Sequence, residues 1–203
     1  MSSVEQVDEG VRIRLEPEEA VLLQALMRQM LELLGDAPDA GDPLAAVGIA
    51  EKAVRPEDPV LARLFPDAYR DDGEAAEEFR RYTEMGLRDG KREAARTVLS
   101  SLESASEATA GAPSEEGMPS EENVPPGRDA PSWRLEAVLD DERAQVWLRA
   151  LNDVRLALGT RLDVTEEWYE EASELDPRDP RAPMFAVYDW LTMLQESLVR
   201  AVW

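Results

Sequence analysis

The chain has 203 residues, of which 43% are hydrophobic, and its 44 acidic and 22 basic residues give a net charge of -22. It contains no cysteine and no histidine, which excludes disulfide bonds, thiolate nucleophiles, imidazole bases and the usual ligands of zinc, copper and haem. The charge should repel phosphate backbones and anionic membranes, so the composition disfavours DNA as a partner and predicts no membrane contact.

The amino-terminal residues predict a soluble, cytoplasmic protein that begins with a small β-hairpin. MSSVEQVDEG is acidic where a signal peptide carries basic and then apolar residues. No later segment has the run of apolar residues that a membrane span requires. Apolar and polar residues alternate in 4–7 and again in 11–15, on either side of Asp8, Glu9 and Gly10, which is the pattern of two strands joined by a tight turn.

Apolar periodicity predicts four helices in the first half of the chain, at 17–34, 44–53, 59–65 and 74–101. The first has so narrow a polar strip that neighbours should touch it on several sides. Asp58 followed by Pro59 is typical of an N-cap and a first helical position.

One side of the predicted helix 74–101 carries small and apolar residues: Phe79, Thr83, Gly86, Leu87, Gly90, Ala94 and Val98. Gly86 and Gly90 would each weaken an isolated helix by about 1 kcal/mol relative to alanine. We therefore expect another backbone to approach this side closely, with a kink as the alternative.

Residues 104–131 are predicted to form a disordered acidic linker. Met118 and Val124 are the only large apolar residues in this Pro-, Ser- and Glu-rich segment, so it cannot bury enough apolar surface to fold. We expect the flanks 4–103 and 132–203 to build a single helical domain spanning 1–203. Two independent domains joined by a tether are the alternative.

The second half of the chain predicts three more helices. One covers 140–158 and should stop at Gly159. The next should begin at Thr165, and the last at Pro183. The predicted fold class is therefore all-α, a multi-helix bundle with a small N-terminal β-hairpin and a disordered acidic linker.

A cationic stripe is predicted on the helix 74–101, where residues 79–98 carry six basic side chains: Arg80, Arg81, Arg88, Lys91, Arg92 and Arg96. At helical spacing they cover less than half of the circumference. Such a stripe could grip an acidic protein surface or a phosphate group, so these six are the predicted partner-binding residues. The alternative is an ordinary solvated face whose arginines pair with nearby acids.

A polar network is predicted on the helix 140–158 and its neighbours. Asn152 and Arg155 flank the apolar stripe of that helix, and Arg161 follows its end. A partly buried guanidinium there could bridge helix carbonyls to an acid such as Asp189. We predict that these four residues fix how the helices meet, with an anion or partner contact as the alternative.

Clustered glutamates raise the alternative of a magnesium-dependent nucleotide pyrophosphatase of the all-α type. Two sets have helical spacing: Glu74, Glu77 and Glu78, and Glu167, Glu170, Glu171 and Glu174. With 44 acids in 203 residues such spacings arise by chance, and no phosphate-binding loop accompanies them. We therefore predict no catalytic activity, no metal site and no cofactor.

Three stretches, 58–102, 147–164 and 188–199, join helix periodicity to unusual runs of arginine, tyrosine and asparagine. In this order they resemble the actinobacterial AosR-like proteins, a family first catalogued as a domain of unknown function. The resemblance implies a cytoplasmic regulator that responds to oxidative stress. It also implies that this regulator acts on transcription together with a sigma factor or a component of RNA polymerase. It also implies a redox switch made by a cysteine pair, which this chain cannot form because it has no cysteine.

The predicted function is therefore that of a non-enzymatic regulator that contacts the transcription machinery through the cationic stripe. A direct DNA-binding regulator is the alternative, and it would need base-reading side chains despite the negative charge. A homo-oligomer also stays open, because the small-residue side of helix 74–101 could pack within one chain or across a two-fold interface.

Overall fold

The computed structural model describes residues 2–35, 54–111, 135–167, 170, 175–176 and 178–203. In chain order the elements are β1 (Ser3–Val7), β2 (Gly10–Leu15), α1 (Pro17–Leu34), α2 (Pro59–Leu64), α3 (Gly73–Gly111), β3 (Leu135–Leu139), α4 (Asp141–Leu162) and α5 (Ala182–Val202). Helices make up most of the described residues, which confirms the predicted class. The predicted helices at 44–53 and around Trp168 and Tyr169 lie outside the described residues.

The predicted hairpin is present, and a third strand that was not predicted pairs with it. β1 and β2 pair in antiparallel fashion around the two-residue turn, with Val7 opposite Gly10. β3 pairs with the other edge of β2, so that Val11 lies opposite Leu139. Gly10 has a φ of +130°, and a Cβ there would collide with the carbonyl oxygen of Leu139. Glycine is therefore required where the turn meets β3.

The two faces of the sheet have opposite characters. The inner face is fully buried and apolar: Val11, Ile13, Leu15, Ala137 and Leu139. On the outer face Arg12 contacts Glu5 at 2.9 Å and Glu136 at 3.0 Å. Arg14 contacts the same two carboxylates at 3.1 and 2.8 Å. This ladder across three strands is partly exposed, so we expect it to favour the register more than the overall stability.

The ladder of ion pairs lowers the pKa of Glu5. A hydrogen bond from Arg12, reinforced by the charge of Arg14, holds the pKa of Glu5 below its ordinary value. Because the folded-state pKa is lowered, the ladder stabilises the fold fully above the pKa of the unfolded chain and loses that effect as the pH falls through the folded-state pKa. NMR titration of the Glu5 carboxyl should therefore give a low midpoint, and Arg12→Gln should raise it. An unchanged midpoint in Arg12→Gln would contradict the ladder.

Local capping chemistry sets the starts of the first two helices as predicted. The Asp58 carboxylate accepts hydrogen bonds from the backbone N–H groups of Val60 and Leu61, at 2.7 and 3.0 Å, and thereby caps α2. In the first turn of α1, the Glu19 carboxylate accepts from the backbone N–H of Glu16 at 2.9 Å and from the indole N–H of Trp190 at 3.2 Å. Glu19 thus ties α1 to α5.

Helix α3 differs from its prediction in length and in orientation. It runs to Gly111 rather than ending at residue 101, so residues 104–111 of the predicted linker are helical, whereas 112–131 lie outside the described residues. Ala94 and Val98 are buried as predicted, but Phe79 and Leu87 are exposed.

The predicted close approach at the two glycines of α3 is wrong for the described part of the chain. Apart from the neighbouring backbone of α3 itself, no atom of the described residues lies within 4 Å of the position that a Cβ would take at Gly86 or Gly90. The residues that face inward at this end of α3 are instead Ala76 and Arg80, which are both buried.

Helix α4 passes through Gly159, where the sequence predicted its end, and continues to Leu162. It ends at Asp163, whose backbone is left-handed with a φ of 53°. At Gly159 an added Cβ would lie 3.1 Å from Cε2 of Tyr188. The glycine therefore makes room for a tyrosine of α5.

The hydrophobic core contains residues from both flanks of the predicted linker. Its largest fully buried side chains are Trp147, Ile13, Leu15, Leu23, Met27, Leu34, Leu102, Leu139, Leu151, Leu191, Leu198 and Val11. They come from β2, β3, α1, α3, α4 and α5.

Candidate functional site

Arg80, the first residue of the predicted cationic stripe, lies inside the protein with 5% of its surface exposed. Its guanidinium donates to Glu84 and Asp67, each at 2.7 Å, and to the carbonyl oxygen of Phe65 at 3.0 Å. Burial alone would lower the pKa of Arg80, but the two carboxylates outweigh burial and raise it. Arg80 therefore fastens the loop after α2 onto α3.

Arg88 caps the C-terminal end of α1. Its Nη1 donates to the carbonyl oxygen of Leu34, the last residue of α1, at 3.0 Å. Its Nε and Nη2 donate to Glu84 at 3.0 and 2.8 Å, and the guanidinium carbon lies 4.7 Å from the centre of the Phe65 ring. A cation at a helix C-terminus satisfies carbonyls that have no partner within the helix.

Lys91 and Arg92 also point into the protein. The Lys91 ammonium donates to Asp153 of α4 at 2.6 Å. Arg92 is 2% exposed and contacts Asp89 at 3.2 Å. In the described part of the chain its buried Nε and Nη1 have no hydrogen-bond partner.

The six bases therefore do not form one stripe that faces solvent. Four of them serve internal contacts, whereas Arg81 is only half-buried and Arg96, in a long 3.9 Å contact with Glu93, is exposed. The sequence could not show this because the internal partners come from other segments of the chain. Partner binding by these six residues stays a prediction.

An exposed aromatic patch lies on the outward side of α3 and the loop before it. We define this patch as Tyr69 of the loop and Phe79, Tyr82 and Leu87 of α3. Between 46% and 53% of each residue is exposed. The rings of Tyr69 and Phe79 meet edge to face with centres 6.0 Å apart. The guanidinium of Arg81 lies 5.8 Å from the centre of the Tyr82 ring. Tyr69 and Tyr82 were not predicted as site residues. The signal in the sequence is that each of these tyrosines is adjacent to an arginine.

The predicted polar network is only partly assembled. Arg155 donates to Gln195 of α5 at 2.7 Å, a contact that the sequence did not predict. The structural role of Asp189 stays a prediction. Asn152 and Arg155 line one cavity, together with Arg63, Thr160 and Tyr188. Arg161 is exposed and lines a different, smaller cavity beside α1. The structure thus brings Asn152 and Arg155 together and separates them from Arg161.

Neither a metal centre nor a membrane span is seen in the ranges that the structure describes. No three acidic side chains there are grouped closely enough to hold a metal ion. Glu171 and Glu174 of the second glutamate set lie outside those ranges. None of the described helices combines the length and the apolarity needed to cross a membrane.

Comparison with known proteins confirms the family resemblance. The family described as "Domain of unknown function (DUF2017)" matches residues 1–202. Over 210 aligned residues the chain is 35% identical to proteins named "Oxidative stress regulator AosR" from Mycobacterium bovis and Mycobacterium tuberculosis. The alignment covers 94% of this chain and 82% of each of these relatives. No solved structure matches the chain.

Proposed function

We propose that this chain, which belongs to the DUF2017 family, is a regulator of the oxidative stress response that acts by contact with another protein and not by catalysis. The names of its relatives support a regulatory role. The partner that we propose is a sigma factor or a component of RNA polymerase, and the place of action is the cytoplasm.

The observation that carries the proposal is the exposed aromatic patch. Tyrosine, phenylalanine and arginine are enriched at the centres of protein–protein interfaces, where they supply large contact areas at a small entropic cost. Four large side chains on α3 and the loop before it, with about half of each exposed, therefore favour a docking surface. Gly86 and Gly90 leave open space beside it, so the backbone of a partner could approach closely.

Charge favours a protein partner over DNA. The net charge of -22 opposes a phosphate backbone, and four of the six bases of α3 already serve contacts within the chain. Arg81 lies beside the Tyr82 ring at the edge of the patch.

Binding to purified RNA polymerase and to purified sigma factors from the source organism tests the proposal. The double variant Tyr82→Ala/Leu87→Ala should weaken binding by about tenfold or more, because interface aromatic residues carry much of the binding energy. Its free energy of unfolding should change little, because both side chains are already exposed.

Met193→Ala is the matched control, because Met193 is 49% exposed but lies on α5. It should leave binding unchanged. Equal binding by the wild type and the double variant would exclude the patch as the docking surface. If this chain binds DNA in the absence of any other protein, with an affinity for DNA that falls steeply as the salt concentration rises, direct DNA binding is favoured instead.

A further inference from the structure

We infer that the cavity between α2, α4 and α5 binds a small organic anion, with its carboxylate or phosphate group on Arg63 and Arg155. The cavity has a volume of about 370 Å³, within the range of roughly 300 to 1,000 Å³ that small-molecule sites occupy. The inference is independent of the protein partner proposed above.

The cavity is shaped by a missing side chain on α4. Because Gly159 has no Cβ, the ring of Tyr188 lies directly against the helix, with Cε2 3.1 Å from the position that a Cβ would take. The helix then ends in the left-handed Asp163, and the backbone N–H of Val164 donates to the carbonyl oxygen of Gly159 at 2.9 Å. The packing of Tyr188 against Gly159 and this helix end together place Asp163, Val164 and Tyr188 on the walls of the cavity.

Arg155 is a partly buried cation whose charge is not neutralised by a carboxylate in the described residues. Its Nη1 donates to the side-chain oxygen of Gln195, which is a neutral amide, and its guanidinium lies 5.7 Å from the centre of the Tyr188 ring. Its Nε is buried and has no hydrogen-bond partner there. A guanidinium in this state gains more from an arriving anion than one that is already paired.

Arg63, from the last turn of α2, adds a second positive charge at the opening. It is exposed, and within the described ranges it has no ion pair. The contrast is with α3, where Arg80, Arg88 and Lys91 each contact a carboxylate within 2.8 Å. Among the described residues, Asp163 is the one acid in the lining. The described lining thus carries two positive charges against one negative charge.

The remaining walls define the ligand's class. The Asn152 amide can donate to an anionic oxygen, since it is exposed at the rim. Leu156, Val164 and the Tyr188 ring are half-buried and present apolar surface. The arrangement fits a molecule with an anionic head group and a short apolar or aromatic body.

NMR titration of the full chain tests the inference, with benzoate and phenyl phosphate as probes at constant ionic strength. We expect saturable shifts of the backbone signals of 152–164 and of Tyr188. Arg63→Gln should weaken binding by about tenfold, the effect of losing one charged contact of ordinary strength. Arg63 is chosen over Arg155 because an exposed side chain can be changed without harm to the fold. The tighter of the two probes identifies the preferred head group.

Arg149→Gln is the matched control, because it removes the same charge from an exposed position of α4 outside the cavity lining. It should leave the affinity unchanged. The inference is overturned if Arg63→Gln and Arg149→Gln weaken binding equally, if neither probe gives saturable shifts, or if the uncharged benzamide binds as tightly as benzoate.

Discussion

Replacement of Arg80 by alanine should lower the free energy of unfolding by about 3 kcal/mol, the size of effect seen when one partner of a buried ion pair is removed. The guanidinium lies within 2.7 Å of both Asp67 and Glu84 and also satisfies the carbonyl oxygen of Phe65. Without it, Glu84 would keep only Arg88 and Asp67 only a long 3.7 Å contact with Arg55, and the Phe65 carbonyl oxygen would lose this donor. Urea unfolding followed by circular dichroism gives the difference directly.

Two further variants sharpen this prediction. Arg80→Lys keeps the charge but cannot reach three acceptors in one plane, so it should recover only part of the loss. Arg96→Ala removes an arginine from the same helix at a side chain that is 57% exposed and 3.9 Å from its acid, and should cost less than about 0.5 kcal/mol. Equal stabilities of Arg80→Ala and Arg96→Ala would show that the buried cluster has no structural role.

Helix starts and the hairpin could be predicted because their chemistry is local. Asp58 caps α2 through backbone groups two and three residues further on, and Pro17 opens α1 at a position where a missing N–H costs nothing. The alternation in 4–7 and 11–15 is sufficient for a two-residue hairpin. None of these features needs a distant partner.

Strand β3 could not be predicted because its five residues become a strand only through their partner. Arg14 and Glu136, which face each other across β2 and β3, are 122 positions apart in the chain. The end of α3 was missed for a different reason. The linker prediction includes residues 104–110 with the Pro-rich segment that follows them, although their three alanines and Glu107 favour a helix.

The role of the α3 bases was the hardest feature to predict. Sequence spacing shows that the basic residues share a helix, but it does not show which acids meet them. Asp67 comes from the loop after α2, 13 positions before Arg80. Asp153 comes from another helix, 62 positions after Lys91. Arg80 and Lys91, which were predicted to bind a partner, therefore form ion pairs within the protein. The apolar Phe79 and Leu87 are instead exposed.

Lys91→Met should also destabilise the fold by about 3 kcal/mol, because it leaves Asp153 as an unpaired charge between α3 and α4. Asp153 is only 6% exposed, and its Oδ1 lies 2.6 Å from the Lys91 ammonium. The reverse change, Asp153→Leu, should cost less, because the lysine side chain is 21% exposed and its ammonium can turn toward water.

The double variant Lys91→Met/Asp153→Leu separates the value of the pair from the cost of breaking it. Apolar replacement of both partners of a buried ion pair is often neutral or stabilising, so we expect the double variant to unfold at nearly the wild-type urea concentration. The double-mutant cycle should then give a coupling energy of about 2 kcal/mol or more. Additive losses in the double variant would mean that the two side chains stabilise α3 and α4 independently, and that the 2.6 Å contact between them contributes nothing.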